Sequence, residues 1–227
     1  MKAWLEQHLQ TCQLSDDVEE YVLGRGMKPS SIAAMGLGTW RASIVSPPDE
    51  LFRKMYGCFG ERLEGRLITP IRSPRGGLLG IEARGVRAKS FAQYLLPDSN
   101  WNPVLIGIRP AMPKLWAGGM VWICEGLFDL SALQWIVPEA DGVVATIRAR
   151  VSDAHVELFR RLGTEVRLVY DNDETGRAAT AKGLRKLSDA GITCRDVRYV
   201  GGKDPGVIWN NGGFSAMQQA FRVSTGE

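Results

Sequence analysis

Four acidic positions in the second half of the chain are spaced for metal chemistry. Glu125 stands in I-C-E-G-L-F-D, Asp171 and Asp173 in V-Y-D-N-D-E-T-G, and Asp204 in G-G-K-D-P. Each follows an apolar run of strand length, so the acids are delivered to one edge of a sheet. Carboxylates that converge repel one another unless a cation lies between them, which predicts a divalent metal site. A D-x-D after a strand sets two carboxylates on one side, because successive side chains alternate. Asp129 lies one helical turn beyond Glu125 and shares its face, as a second ligand or as an exposed acid. Gly126 and Gly176 allow close backbone approach to a phosphate, and Gly176 reads equally well as a tight turn. Lys203 offers a cation to a phosphate, although G-G-K-D-P also fits a plain structural turn, with Pro205 fixing the chain direction.

The elements that must carry these residues follow a regular rhythm from Met120 onward. V-W-I-C reads as a strand and is followed by a helix from about Leu127 to Val137. G-V-V-A-T is a second strand. Ser152 can cap a helix that runs to Leu162 and is closed by Gly163. E-V-R-L-V-Y, a helix from about Gly176 to Gly191, and T-C-R-D-V-R-Y-V complete the series, with a short helix near Phe214–Arg222. Alternating strands and helices imply right-handed crossovers and a mainly parallel sheet, whose function gathers at the carboxyl ends of the strands. Upstream, residues 1–38 read as broken helices. Asp16 and Asp17 open one that Gly24 and Gly26 end, and Pro29 opens another that Gly36 stops. S-P-P at 46–48 makes a loop. L-I-T-P-I and L-L-G-I-E-A-R-G-V, joined by S-P-R-G-G, predict a hairpin. Residues 91–118, rich in Pro, Trp and Asn, give no clear period. The expected organisation is an α/β chain with a boundary at 118/119.

Charge distribution narrows the class of partner. The net charge is +3, too small by itself to mark a nucleic-acid binder. Between Leu51 and Gly118, however, 11 Lys/Arg face 4 Asp/Glu, and a basic region before an acidic metal site suits a polyanion better than a merely solvated face. The cysteines, Cys12, Cys58, Cys124 and Cys194, form no C-x-x-C, which argues against a zinc ribbon and for a reducing, cytoplasmic setting. Cys124 and Cys194 read as buried small hydrophobes. The N-terminal M-K-A-W-L-E-Q-H lacks the apolar core of a signal peptide, and no apolar run is long enough to span a membrane. Trp122 and Trp135 are expected in the core, and Trp101 and Trp116 are expected to pack, with stacking on bases as the alternative. His8 and His155 have no partners for a metal or a triad, and His155 reads as a surface or packing residue.

E-G-L-F-D, D-N-D-E-T-G and K-D-P, in this order and spacing, resemble the Toprim domain of bacterial DnaG-type primases and their phage relatives. V-E-E-Y-V-L-G-R-G-M-K-P-S-S-I-A-A-M-G-L-G is similar to the helical start of the primase RNA-polymerase core. E-R-L-E-G-R-L-I-T-P-I-R-S-P-R-G-G-L-L-G-I-E-A-R is similar to that core's basic subdomain. The resemblance covers about residues 18–210. It implies a Toprim fold over residues 119–227, a mainly parallel sheet with flanking helices, preceded by a smaller mixed α+β basic subdomain over 1–118. Glu125, Asp171 and Asp173 would bind the catalytic Mg²⁺ (or Mn²⁺), with Asp129 and Asp204 assisting. Arg62, Arg66 and Arg84, with Lys89 and Lys203, would hold template or nucleotide phosphates. The reaction implied is synthesis of short RNA primers from nucleoside triphosphates on single-stranded DNA.

The chain departs from the family at several points. No zinc ribbon and no G-x-x-x-x-G-K-[ST] are present, so a replicative helicase or a zinc-binding protein would be a separate partner. Gly206 stands where relatives often carry another acid after K-D-P. Gln93 replaces the lysine of P-K-Y-L, with Lys89 as a substitute. A-T-L-G-T of relatives reads A-T-I-R-A-R, adding Arg148 and Arg150. Two rival readings keep the same acids: a Toprim metal-dependent nuclease, and an inactive module that binds single-stranded DNA within a replication complex.

Overall fold

The computed structural model describes residues 2–41, 63–87, 90–96, 99 and 102–222. Arg62, Lys89, Trp101, Cys58 and the S-P-P segment lie outside them. Three helices come first: α1 (Lys2–Thr11), α2 (Asp16–Gly24) and α3 (Pro29–Met35). Pro29 starts α3 at a position whose N–H needs no partner, and Gly36 closes it in the left-handed conformation (φ 66°).

An antiparallel sheet follows, in the order β1 (Gly38–Thr39), β2 (Leu67–Arg72), β3 (Leu78–Arg84) and β4 (Phe91–Leu95). The predicted hairpin is the pair β2–β3, whose register sets Leu67 opposite Arg84 and Arg72 opposite Leu78. Its inner face buries Leu63, Ile68, Leu78, Ile81 and Ala83 with Trp4, Leu5 and Leu9 of α1 and with Trp40. Each large side chain withdrawn from water in this way stabilises the sheet by about 1.5–3 kcal/mol.

The second sheet is four-stranded and parallel, in the order β6 (Gly142–Ala145), β5 (Val121–Cys124), β7 (Val166–Leu168), β8 (Cys194–Asp196). Helices α4 (Ile108–Trp116), α5 (Leu127–Leu133), α6 (Asp153–Leu162), α7 (Glu174–Asp189) and α8 (Pro205–Arg222) accompany it. Ser152 caps α6 by accepting the His155 N–H, and Gly163 ends it at φ 63°. In α8, Gly212 and Gly213 leave helical geometry. The expected short helix is therefore the second half of a kinked one. The unassigned stretch contains β4 and α4. Ala111, Met112 and Leu115 of α4 pack into the same core as Val121, Ile123 and Val166.

The N-terminal helices join the two sheets. Val18, Val22 and Met27 share a core with Leu127, Phe128 and Leu130 of α5 and Ile208 and Met217 of α8. Trp135 Nε1–H donates to Gly26 O (2.7 Å) and Lys28 Nζ to Gln134 O (2.8 Å). Trp135 is 40% exposed because it stacks against Trp209 at the surface (5.3 Å), so it is not the core residue its sequence neighbourhood suggests. Trp116 is 70% exposed. Cys124 is buried and Cys194 half-buried. Among the described residues, no helix is long and apolar enough to cross a membrane.

Both histidines are buried. His155 Nε2–H donates to Val104 O (3.1 Å), and its Nδ1 accepts the Ser152 N–H (3.2 Å), so it is a packing residue. Burial pushes it down from 6.5 to about 4. His8 is stacked on Trp4 (5.0 Å) and lies 4.3 Å from Trp40, with neither ring nitrogen hydrogen-bonded, and burial lowers it too. As pH falls below 6.5, the unfolded chain takes up protons that these folded histidines refuse. Their contribution to stability is therefore present at neutral pH and is lost toward pH 4. His8→Phe removes the unpartnered nitrogens, at a gain of about 1–3 kcal/mol. Thermal melts should show a higher Tm for this variant and a smaller fall in Tm between pH 7 and pH 5. A lower Tm at both pH values would contradict it.

Candidate metal centre

The acids meet at the carboxyl edge of the parallel sheet. Glu125 follows β5, and Asp171 and Asp173 follow β7. The strand itself ends at Leu168, so D-N-D is a turn rather than a strand end, yet its acids still face one way. Asn172 turns away between them, donating from Nδ2 to Tyr199 O (3.0 Å) and Gly202 O (3.2 Å), while its N–H bonds Lys203 O (2.7 Å). The Tyr199 hydroxyl sits 3.0 Å from the carbonyls of both Tyr170 and Lys203. These bonds lace the D-N-D turn to the G-G-K-D-P loop and fix Lys203, whose Nζ lies 3.4 Å from Asp171 and 3.0 Å from Asp173.

Glu125 accepts the Asp171 N–H (3.2 Å). Burial first, and then the neighbouring Asp171, raise its carboxyl above the ordinary range. Asp171 is raised by burial and by Asp204. Asp173 is lowered, first by the Gly176 N–H that its Oδ1 accepts at the start of α7 (2.8 Å) and then by Lys203. Gly176 is needed for that turn, since a Cβ there would stand 2.2 Å from Asp171 O.

Asp129 braces two helices. Its Oδ2 accepts the Gly126 N–H and its Oδ1 the Gly206 N–H, each at 3.1 Å, tying the start of α5 to the start of α8. Burial, then Asp204, push its carboxyl up to about 7. Asp204 caps α8 by accepting the Val207 N–H (2.7 Å), with Pro205 as the first helical residue. Gly206 gives its N–H to Asp129, and a Cβ there would sit 3.2 Å from that carboxylate.

Among the described residues, no three His, Cys, Asp or Glu side chains form a ready-made metal cage. The ammonium of Lys203 lies between Asp171 and Asp173, while Asp129 and Asp204 are turned toward helix N–H groups. The donor chemistry still fits a hard divalent cation, because these are oxygen ligands whose crowding and burial oppose their ionisation.

A groove of about 320 Å³ opens beside the acids, lined by Tyr21, Arg25, Arg84, Arg87, Asp204 and Val207. The guanidiniums of Arg84 and Arg25 lie 4.5 and 4.6 Å from the Phe128 ring centre, one residue from Asp129. Arg25 Nε is buried with no hydrogen-bond partner. Arg25 is absent from the sequence-derived set, and the signal for it was the R-G at the end of α2. Arg66 precedes β2, and the register Leu67–Arg84 sets it at the same end of the sheet as Arg84. Gln93 spends its amide on buried Glu82 (2.8 Å), away from the acids.

Residues 122–207 match the Toprim-like family model. The DNA primase of Deinococcus radiodurans is 29% identical over 208 residues, 82% of this chain and 36% of that protein. The DNA primase of Aquifex aeolicus is 25% identical over 207 residues, 83% of this chain and 41% of that protein. Among solved structures, the Aquifex aeolicus primase zinc-binding and RNA polymerase domains share the fold at TM-score 0.73 and 21% identity, over 98% of this chain and 60% of that one. A DnaG primase catalytic domain bound to single-stranded DNA matches at TM-score 0.73 and 21% identity, over 95% and 77%. The parallel sheet and its acid edge thus lie in the segment that is similar to Toprim-like domains. The chain is similar to these DNA primases and spans about two fifths of the length of these curated relatives (36% and 41%).

The raised carboxyls set a pH sign for metal binding. Below about pH 6 a proton on Asp129 competes with a cation for the edge, and above about pH 7 the negative charge is unrelieved. Mg²⁺ at millimolar concentration should therefore raise Tm by several degrees at pH 8 and by much less at pH 5.5, with the increment lost in Glu125→Gln and Asp171→Asn. An equal increment at both pH values, or one that survives both substitutions, would place the bound ion elsewhere.

Proposed function

We propose that this chain is the catalytic core of a DNA primase, a nucleotidyltransferase that makes short RNA primers on single-stranded DNA from nucleoside triphosphates. The observation that carries this reading is one seam. The acid edge and the arginine groove share Asp204, and they do so in a chain that aligns with DNA primases over 82% of its length. A nuclease needs the acids, whereas a polymerase must also hold a template and a triphosphate against them.

Glu125, Asp171 and Asp173, with Asp129 and Asp204 beside them, are the residues that would hold Mg²⁺ or Mn²⁺. When bound, such an ion supplies positive charge to the departing pyrophosphate and favours ionisation of the attacking 3′-hydroxyl. Toprim primases are metal-dependent in general, which supports this assignment. The chain's own work is positioning. Arg25 and Arg84 present guanidiniums toward phosphates in the groove, Arg66 extends that basic end, and Arg62 and Lys89 belong to the same proposed set. Lys203 can turn from Asp171 and Asp173 to an incoming phosphate. With so little covalent chemistry assigned to the protein, geometry and electrostatics carry the rate.

In this reading residues 1–118 form the template-handling part and 119–227 the Toprim part, with α4 the segment of the first that docks on the second. A replicative helicase or a zinc-binding protein would act as a separate partner, in the cytoplasm.

The test is incubation with single-stranded DNA, labelled ribonucleoside triphosphates and Mg²⁺ or Mn²⁺. Short RNA products are expected, reduced by about 100-fold or more in Asp171→Ala and Glu125→Ala, at least the loss that follows removal of outer partners of a metal. Arg25→Ala and Arg84→Ala should each weaken template or nucleotide binding by about tenfold or more, the worth of a charge-assisted hydrogen bond. Cleaved DNA without RNA would instead indicate the Toprim nuclease, and DNA binding with neither product the inactive module.

A further inference from the structure

A second groove leaves the same edge in another direction. It encloses about 680 Å³ between the loop after β6 and helix α7. Glu174, directly after Asp173, stands at its mouth, and Lys186 lies twelve residues further along α7, a rise of about 18 Å. The α7 face toward the groove carries Thr175, Ala178, Ala179 and Gly183, small residues at helical spacing that leave it unobstructed. Gly183 is required there, since a Cβ would stand 2.9 Å from Leu168 Cδ1 and 3.1 Å from Val151 Cγ2.

The groove's lining is mostly basic, with Asp153 beside it acting on both Lys186 and Arg150. Lys182 and Arg150 are exposed on opposite walls, and among the described residues neither is held in an ion pair. Lys186 is paired with Asp153 (2.7 Å), and Glu174 is the acid at the mouth. Arg150 and Lys186 both lie near enough to buried His155 to oppose its protonation.

The loop that carries Arg150 is strained. Ile147 has φ 64° and is the non-glycine residue with positive φ among the described residues, a conformation that a β-branched side chain rarely adopts. Its side chain packs against the core, while Arg148 and Arg150 stand exposed. Such strain persists where the surroundings over-determine it, and it clusters at ligand sites.

We propose that this groove is a track for the phosphodiester backbone of a nucleic-acid strand as it passes the acid edge. The inference rests on the primase reading above and adds a surface to it. A run of about 18 Å is long enough to lie along several successive phosphates of one strand. Small residues let the backbone lie close to α7, and Arg150 and Lys182 meet phosphates from both sides. Aromatic side chains do not line the groove, so contact is with backbone and independent of base sequence.

The test uses the whole chain with Arg150→Gln and Lys182→Gln together. A labelled 20-nucleotide DNA, single-stranded or annealed to a short RNA, is titrated by fluorescence anisotropy at several salt concentrations, without nucleotides or divalent metal. A control carries Arg160→Gln and Arg161→Gln, the same charge change on α6. The groove variant should bind at least one of the two probes about tenfold more weakly at ~0.1 M salt, and its log–log salt slope should fall by about 1.4–1.8, the equivalent of two phosphate contacts. The control should change less than about twofold. Unchanged binding of both probes, or equal weakening in the two variants, would overturn the track. Because binding is read without synthesis, failure of the unsubstituted protein to make primers would count against the primase reading and leave this result standing.

Discussion

Mutual repulsion among buried carboxylates is the constraint on which the functional half of this protein depends. Glu125, Asp129 and Asp171 all resist ionisation, chiefly through burial and through one another. Several neighbouring features manage that charge. Lys203 sits against two of the acids, two helix starts give N–H groups to Asp129, and Asp173 and Asp204 each cap the helix that follows. A site so arranged would suit a cation, because the charge that a cation would neutralise is already concentrated in one place.

The same arrangement explains why the helical start of the chain matters to chemistry more than a hundred residues away. Helices α2 and α3 share a core with α5 and α8, and that packing brings Arg25 to Phe128, beside the acid edge. The antiparallel sheet brings Arg84 to the same ring. Acidic and basic halves are thereby registered through one aromatic side chain.

Much of this was legible in the sequence. Apolar runs ending in acids predict both the parallel sheet and its loaded edge, because alternation of strand and helix forces the strand ends to one side. Ser152 and Gly163 marked α6 through capping chemistry, and S-P-R-G-G marked the β2–β3 turn. What was not legible has physical causes. Helix α4 is disguised by Pro110 and Pro113, and tertiary packing of Ala111, Met112 and Leu115 outweighs their cost. D-P at 204–205 reads as a supporting metal-site acid, with a plain turn as the alternative, although it is equally a cap followed by the first residue of a helix. Arg25 could not be assigned because its position depends on a contact between segments about a hundred residues apart. Trp135 was misplaced because the helix ends at Leu133 rather than running to Val137, which leaves Trp135 in the turn beyond α5.

The central claim is that the acid edge is a cation site whose place Lys203 now holds. It is tested most directly by diffraction from crystals soaked in Mn²⁺, using the metal's anomalous signal. The account predicts a peak within coordination distance of Glu125 and Asp171, with the Lys203 ammonium moved away from Asp171 and Asp173. A peak elsewhere, or none with Lys203 still bridging the two aspartates, would contradict it.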